Sequence, residues 1–207
     1  MRPLPRLHAI TDHRALSDQD FRVRLAAIAA IGHAVALHAR DRTASDRALV
    51  ETARRMQAHA AAPGAATFVN GRPDIAQALS LEGVQLRTGD LSPRDARAIF
   101  PRGWLGVSIH TREEARQAVD EGADFLLAGT IFPSETHPGT PAAGLTLLDD
   151  VVPLGLPVVA IGGITPDRAR AAADAGAYGV AAISALWQAR DAAAAAAALL
   201  TPWMEAE

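Results

Sequence analysis

Eight short runs of apolar or β-branched residues, each followed by a stretch with helical patterning, constrain this chain more than any other feature. The runs are Arg6 to Thr11, Ala34 to Ala39, Ala66 to Asn70, Gly83 to Leu86, Leu105 to His110, Phe125 to Thr130, Pro157 to Gly162 and Gly179 to Ser184. Brief, nearly continuous apolar runs are the mark of strands covered on both faces, and the helical stretches supply the crossovers that parallel strands need. Strand then helix, eight times within 207 residues, predicts an α/β fold: a single (β/α)8 TIM barrel spanning 1–207. A doubly wound open sheet is the alternative, disfavoured because such sheets usually carry about five or six strands.

One helical stretch shows the local logic. In Thr111 to Gly122, Ala115, Ala118, Val119 and Gly122 share a face and the charges lie opposite. Thr111 suits the N-cap, Glu113 and Glu114 suit the positive helix end, and Gly122 suits a left-handed stop. The pattern Thr-x-x-x-Ala-Arg-x-Ala-x-Asp-x-Gly-Ala occurs at Thr111 to Ala123 and again at Thr165 to Ala177. Either one βα unit has been used twice, or two helices have converged on the same caps and alanine face.

Composition narrows the function classes. The 49% apolar and 21% charged content is that of an ordinary globular protein, and a net charge of −3 offers no positive field for nucleic acid. Without cysteine there are neither disulfides nor thiolate metal sites. Met1-Arg2-Pro3-Leu4-Pro5 lacks a secretory apolar core, so the cytoplasm is the expected compartment. Ala192 to Leu200 is too short and alanine-rich to span a bilayer and reads as a closing helix, so no membrane partner is expected. Trp187 and Trp203 read as exposed and suit either a core or the interface of a homo-oligomer.

In such barrels the chemistry sits where the strands end at the C-terminal face, and a phosphate commonly binds in the loops after strands 7 and 8. Here those loops hold Gly162, Gly163, Ile183 and Ser184, each at a point where a strand gives way to a helix and leaves backbone N–H groups bare for an anion. The plainer reading is that the glycine pair only allows a tight turn. Strand 2 places His38, Arg40 and Arg42 at alternate positions, on one side by the period of two, which makes an anion-binding wall. Arg42 is also free to pair with Asp41 or Asp46 in a solvated loop. Asn70, Gly71 and Arg72 follow strand 3, Gln85 and Asp90 strand 4, Ser108 and His110 strand 5, and Thr130 strand 6. The loop from Ile131 to Pro141 is long enough for a lid, with Ser134 and Thr136 as phosphate donors or as turn caps. Of the histidines, His8, His33 and His59 read as structural. His38, His110 and His137 read as rim residues with a pKa range suited to proton transfer.

These residues resemble the thiamine phosphate synthase and TenI-like group of barrels. The resemblance rests on Leu7-His8-Ala9-Ile10-Thr11-Asp12, Gly106-Val107-Ser108-Ile109-His110, Gly129-Thr130-Ile131-Phe132-Pro133 and Ala160-Ile161-Gly162-Gly163-Ile164, in the expected order and spacing. It implies a phosphorylated thiazole as ligand, its phosphate held by Gly163, Ile183, Ser184 and the strand-6 loop.

The family's synthase branch couples thiazole phosphate to a pyrimidine pyrophosphate. It uses an Asn-Asp pair after strand 3, an Asp after strand 4, and lysines after strand 2 and in the strand-6 loop. The matching positions here are Asn70-Gly71, Asp90, Arg42 and His137, so Gly71 removes a carboxylate and only Asp90 is left for Mg²⁺. The TenI branch tautomerises a carboxythiazole phosphate by a 1,3 proton shift and needs no cofactor. His38-x-Arg40-Asp41-Arg42, Asn70-Gly71-Arg72 and Val84-Gln85-Leu86 resemble that branch. It is the expected function, with Arg40 and Arg42 on the carboxylate and Asn70, Arg72, Ser108 and Thr130 as further substrate contacts. Because Thr130 stands where the tautomerase has a histidine, the proton falls to His38, His110 or His137. A non-catalytic thiazole-phosphate sensor is the third reading.

Overall fold

The computed structural model describes residues 2–134 and 141–204. Its strands are β1 (Leu7–Ile10), β2 (Val35–Ala39), β3 (Ala66–Asn70), β4 (Gly83–Leu86), β5 (Trp104–Ile109), β6 (Phe125–Ala128), β7 (Val158–Ile161) and β8 (Gly179–Ala182). They are all parallel and pair in chain order, and β8 closes back on β1 through Leu7↔Val180, His8↔Ala181 and Ala9↔Ala182. The fold is therefore a closed (β/α)8 barrel, and the open-sheet alternative is set aside.

Side chains alternate along each strand as the pleat requires. Leu7, Ala9, Val35, Leu37, Val69, Val84, Leu105, Leu126, Val158 and Val180 face the helices and belong to the larger core. Ile10, Ala36, Phe68, Phe125, Leu127, Val159 and Ala181 turn inward and fill the barrel. Burying each large side chain contributes roughly 1.5–3 kcal/mol. The two matching helices are both capped as their sequence predicts. Thr111 accepts from the Glu114 N–H at 3.2 Å and Thr165 from the Arg168 N–H at 3.4 Å, and Gly122 and Gly176 follow at φ of 88° and 86°.

Several strands end earlier than the apolar runs suggest: Thr11, His110, Thr130, Gly162 and Ser184 all lie beyond the ladder. The polar groups thus stand in the loops at the strand ends. Trp187 is not exposed. It is 2% accessible, its indole N–H donates to the Ile10 carbonyl at 2.8 Å, and its ring packs 5.3 Å from Phe21. Trp203 is half-buried and donates to the Ala177 carbonyl at 3.1 Å, so both tryptophans serve this chain's own packing. Among the described residues no helix is long and apolar enough to cross a membrane.

Candidate active site

A cavity of about 640 Å³ opens at the C-terminal ends of the strands. Its floor is apolar, made by the inward residues Ile10, Leu127, Ile161 and Ala181. That floor suits a flat ring, and polar groups at the mouth sort the rest of the ligand.

One side is a backbone cradle built by the turns after β7 and β8. Gly162 and Gly163 take φ of 105° and 60°, where other residues are strained. A Cβ on Gly163 would lie 2.3 Å from the Pro133 carbonyl oxygen, and one on Gly162 2.4 Å from Thr130 Cγ2. The loop after β6 is fastened to this turn by Ile131 N–H to Ile161 O at 2.8 Å and Phe132 N–H to Gly162 O at 3.1 Å. The tight-turn reading of the glycine pair therefore holds, and it coexists with a cradle. Among the described residues, the N–H groups of Gly163, Ile164, Ser184 and Ala185 meet no acceptor, and all four residues line the cavity. Arg168, which the sequence reading did not single out, donates to the Gly163 carbonyl at 2.6 Å and packs over Phe132. Ser134 also lines the cavity; Thr136 and His137 lie outside the described residues.

Across the barrel stands a wall of cations. Arg40 and Arg42 after β2 and Arg87 after β4 all line the cavity. Arg40 is held below the usual guanidinium range first by burial, then by the charges of Arg87 and Arg42, with Asp12 and Asp41 opposing. A guanidinium stays charged under such pressure, so Arg40 stands charged beside two further cations, of which Arg87 is paired with Asp90. Asp41 is occupied by Thr43 and His13, and Asp46 by Arg72, which leaves Arg42 to the cavity. Arg87 was missed in the sequence. Its signal was available: it follows Leu86 as Arg40 follows Ala39, one step beyond a strand.

Between the two sides, Asn70, Ser108, His110 and Thr130 also face the cavity. Ser108 accepts from Gln85 Nε2 at 3.1 Å, and Gln85 Oε1 is buried without a partner among the described residues. His110 sits at the rim with Nδ1 3.1 Å from Glu114, whose carboxylate also takes the His110 N–H at 2.6 Å. Asp90 receives Arg87 through the backbone N–H at 2.8 Å, Nε at 3.3 Å and Nη2 at 3.1 Å.

Two expected site residues are elsewhere. His38 is not at the rim: it is fully buried inside the barrel, stacked 4.8 Å from Phe68, and does not line the cavity. Burial pushes its pKa down to about 4. Arg72 turns away from the cavity. It holds Asp74 at 2.9 and 2.6 Å and also pairs with Asp46, which together raise its pKa.

Comparison with known proteins agrees with this geometry. A family model described as thiamine monophosphate synthase matches residues 7–186. The chain is 36% identical over 187 residues to a thiamine-phosphate synthase of Pyrococcus furiosus, covering 90% of this chain and 88% of the relative. It is 37% identical over 197 residues to one from Roseiflexus castenholzii, covering 93% and 86%. A solved structure of thiamine phosphate pyrophosphorylase from Pyrococcus furiosus superposes with a TM-score of 0.83 at 34% identity, covering 97% of this chain and 96% of that one.

Proposed function

We propose, on the premise that the chain belongs to the thiamine monophosphate synthase family, that it joins a thiazole phosphate to a pyrimidine diphosphate and releases pyrophosphate. The observation that carries this reading is one apolar-floored cavity with bare backbone N–H groups on one side and three arginines on the other. The cradle of Gly163, Ile164, Ser184 and Ala185 suits the phosphate of the thiazole. Arg40, Arg42 and Arg87 suit the diphosphate.

In this reaction the thiazole ring nitrogen forms a bond to the pyrimidine methylene carbon. The bond from that carbon to the diphosphate oxygen breaks, and its electron pair leaves with pyrophosphate. The rate then depends on stabilising charge on the leaving group, which is what guanidinium groups gathered at the cavity mouth do. A tautomerase instead needs an acid/base beside the ring. Among the described residues the expected carriers do not supply it: His38 is sealed below the floor, and His110 is held at the rim by Glu114. One observation favours the tautomerase, namely Gly71 in place of the carboxylate that follows the strand-3 asparagine in the synthase branch.

A Mg²⁺ ion shared with phosphates normally takes one or two carboxylates of its own. Among the described residues Asp90 is the one carboxylate lining the cavity, both its oxygens are engaged by Arg87, and no group of three or more acidic or histidine side chains could hold a metal. The described residues do not fit a dedicated metal site, and no step above passes through one. All twenty cationic side chains of this protein are arginine, so lysine has no part in the wall.

The test is to incubate the full chain with thiazole phosphate and the pyrimidine diphosphate, with and without Mg²⁺, and follow thiamine phosphate and pyrophosphate. Stoichiometric formation of both is expected. Tautomerisation of carboxythiazole phosphate without any coupling would move the assignment to the other branch.

A further inference from the structure

Below the cavity floor runs a chain of hydrogen bonds that the coupling reaction does not use. His8 Nε2 lies 3.1 Å from the Pro5 carbonyl oxygen, and His8 Nδ1 lies 2.8 Å from His38 Nε2. His38 Nδ1 lies 3.1 Å from the amide atom of Asn70 in the Oδ1 position. Both rings are fully buried, packed against Phe68, and His8 also against Phe125. Asn70 is half-buried and lines the cavity.

Each of the three contacts must hold one hydrogen, and the first decides the others. The Pro5 carbonyl only accepts, so the hydrogen sits on His8 Nε2. A neutral imidazole carries one N–H, so His8 Nδ1 accepts and His38 Nε2 donates. His38 Nδ1 is then bare and must itself accept. Only the NH₂ of the Asn70 amide can donate to it. An amide's oxygen and nitrogen are alike in shape, and the network around them decides which faces where. The nitrogen therefore faces His38, and the carbonyl oxygen is the end left for the cavity.

The opposite orientation requires a doubly protonated ring somewhere in the chain. Burial holds His8 well below its ordinary pKa, with the neighbouring His38 adding to the effect, and burial likewise depresses His38. Among the described residues no carboxylate is hydrogen-bonded to either ring, and an uncompensated charge inside a barrel is strongly disfavoured.

We propose that His8 and His38 are positioning residues that fix the Asn70 amide with its carbonyl oxygen toward the cavity, so that this site selects a ring presenting an amino or N–H group there. The choice of ring rests on the synthase reading, in which the pyrimidine half of thiamine carries an exocyclic amine. The orientation of the amide does not rest on it.

Two measurements test this on the full chain. In ¹⁵N-histidine NMR at pH 7, assigned with single variants, His8 and His38 are both expected as neutral Nε2–H tautomers. An Nδ1–H tautomer or an imidazolium at either would overturn the relay. The kinetic arm uses His8→Phe, which keeps an aromatic ring beside Phe68 and Phe125 but removes the anchor at Pro5. The variant should lose about tenfold in kcat/KM for the aminopyrimidine diphosphate, the size of one net hydrogen bond, and little for an analogue with methyl in place of the amine. Equal losses on both substrates would mean a merely structural role and would sink the proposal. If the wild-type protein makes no product from the diphosphate, the function reading fails while the NMR result still decides the relay.

Discussion

Replacing Arg40 by Met should make the ligand-free protein more stable while weakening its grip on pyrophosphate. Arg40 carries a half-buried charge beside Arg42 and Arg87, and burial and those two neighbours all act against its charged form. Methionine keeps most of the apolar stem and drops the charge. Like-charge neighbours each destabilise by about 0.2–0.5 kcal/mol, and the lost attraction to Asp12 and Asp41 offsets part of the relief. A net gain of roughly 0.5 kcal/mol corresponds to about 1–2 °C in Tm for a chain of this size. Against that, one hydrogen bond to a charged group is lost from the complex, worth about 1.5–3 kcal/mol, or roughly 10- to 150-fold in Kd. Differential scanning calorimetry with and without pyrophosphate reads both effects, and isothermal titration gives the Kd directly. Without anion the wild type should melt lower than the variant, and with pyrophosphate added to both it should melt higher. A variant that melts lower without anion and binds pyrophosphate as wild type does would show that Arg40 is a structural cation and that the wall is not an anion station.

Three further outcomes follow from the same geometry. Because the His8 and His38 pKa values lie below the unfolded value of about 6.5, the unfolded chain binds more protons in acid. The stability they contribute is complete above that value and is lost as pH falls toward the folded pKa of about 4 for His38. His38 alone accounts for about 3 kcal/mol of that loss, and urea unfolding at pH 7 and pH 4.5 should show a smaller drop for His38→Gln than for wild type. Trp187→Phe leaves the Ile10 carbonyl without its indole donor, which should destabilise by about 1–3 kcal/mol in urea unfolding; an unchanged midpoint would deny that bond a role. Gly163→Ala puts a Cβ against the Pro133 carbonyl at a φ of 60°. It should raise KM for the thiazole phosphate about tenfold through backbone strain of about 1–2 kcal/mol, with KM for the diphosphate nearly unchanged. A comparable rise in both would show that the cradle and the wall are not separate stations.

What could be read from the chain beforehand follows the range of the forces involved. Strand positions were legible to within two residues because a strand buried on both faces has to be a short apolar run, and Thr111 and Thr165 announced their helices because capping is decided by neighbours in sequence. The glycine turn after β7 was legible too, since Gly162 and Gly163 answer to local backbone geometry. His38 was not. Its alternation with Arg40 is real, but its depth is set by the barrel's register, which pairs it with Ile10 on one side and Phe68 on the other and leaves Asn70 above it at the cavity. Arg72 escaped for a similar reason: Asp74 is two positions away, but Asp46 reaches it from another βα unit. Trp187 depends on a carbonyl 177 positions distant, and no pattern local to a four-residue helix could report that. Preference for one branch of the family over the other turned on the same kind of information. The tautomerase reading offered His38, His110 or His137 as proton carrier, and the packing of Phe68 and Phe125 around the two inner histidines removes the first of these from the rim and leaves it beside the Asn70 amide instead.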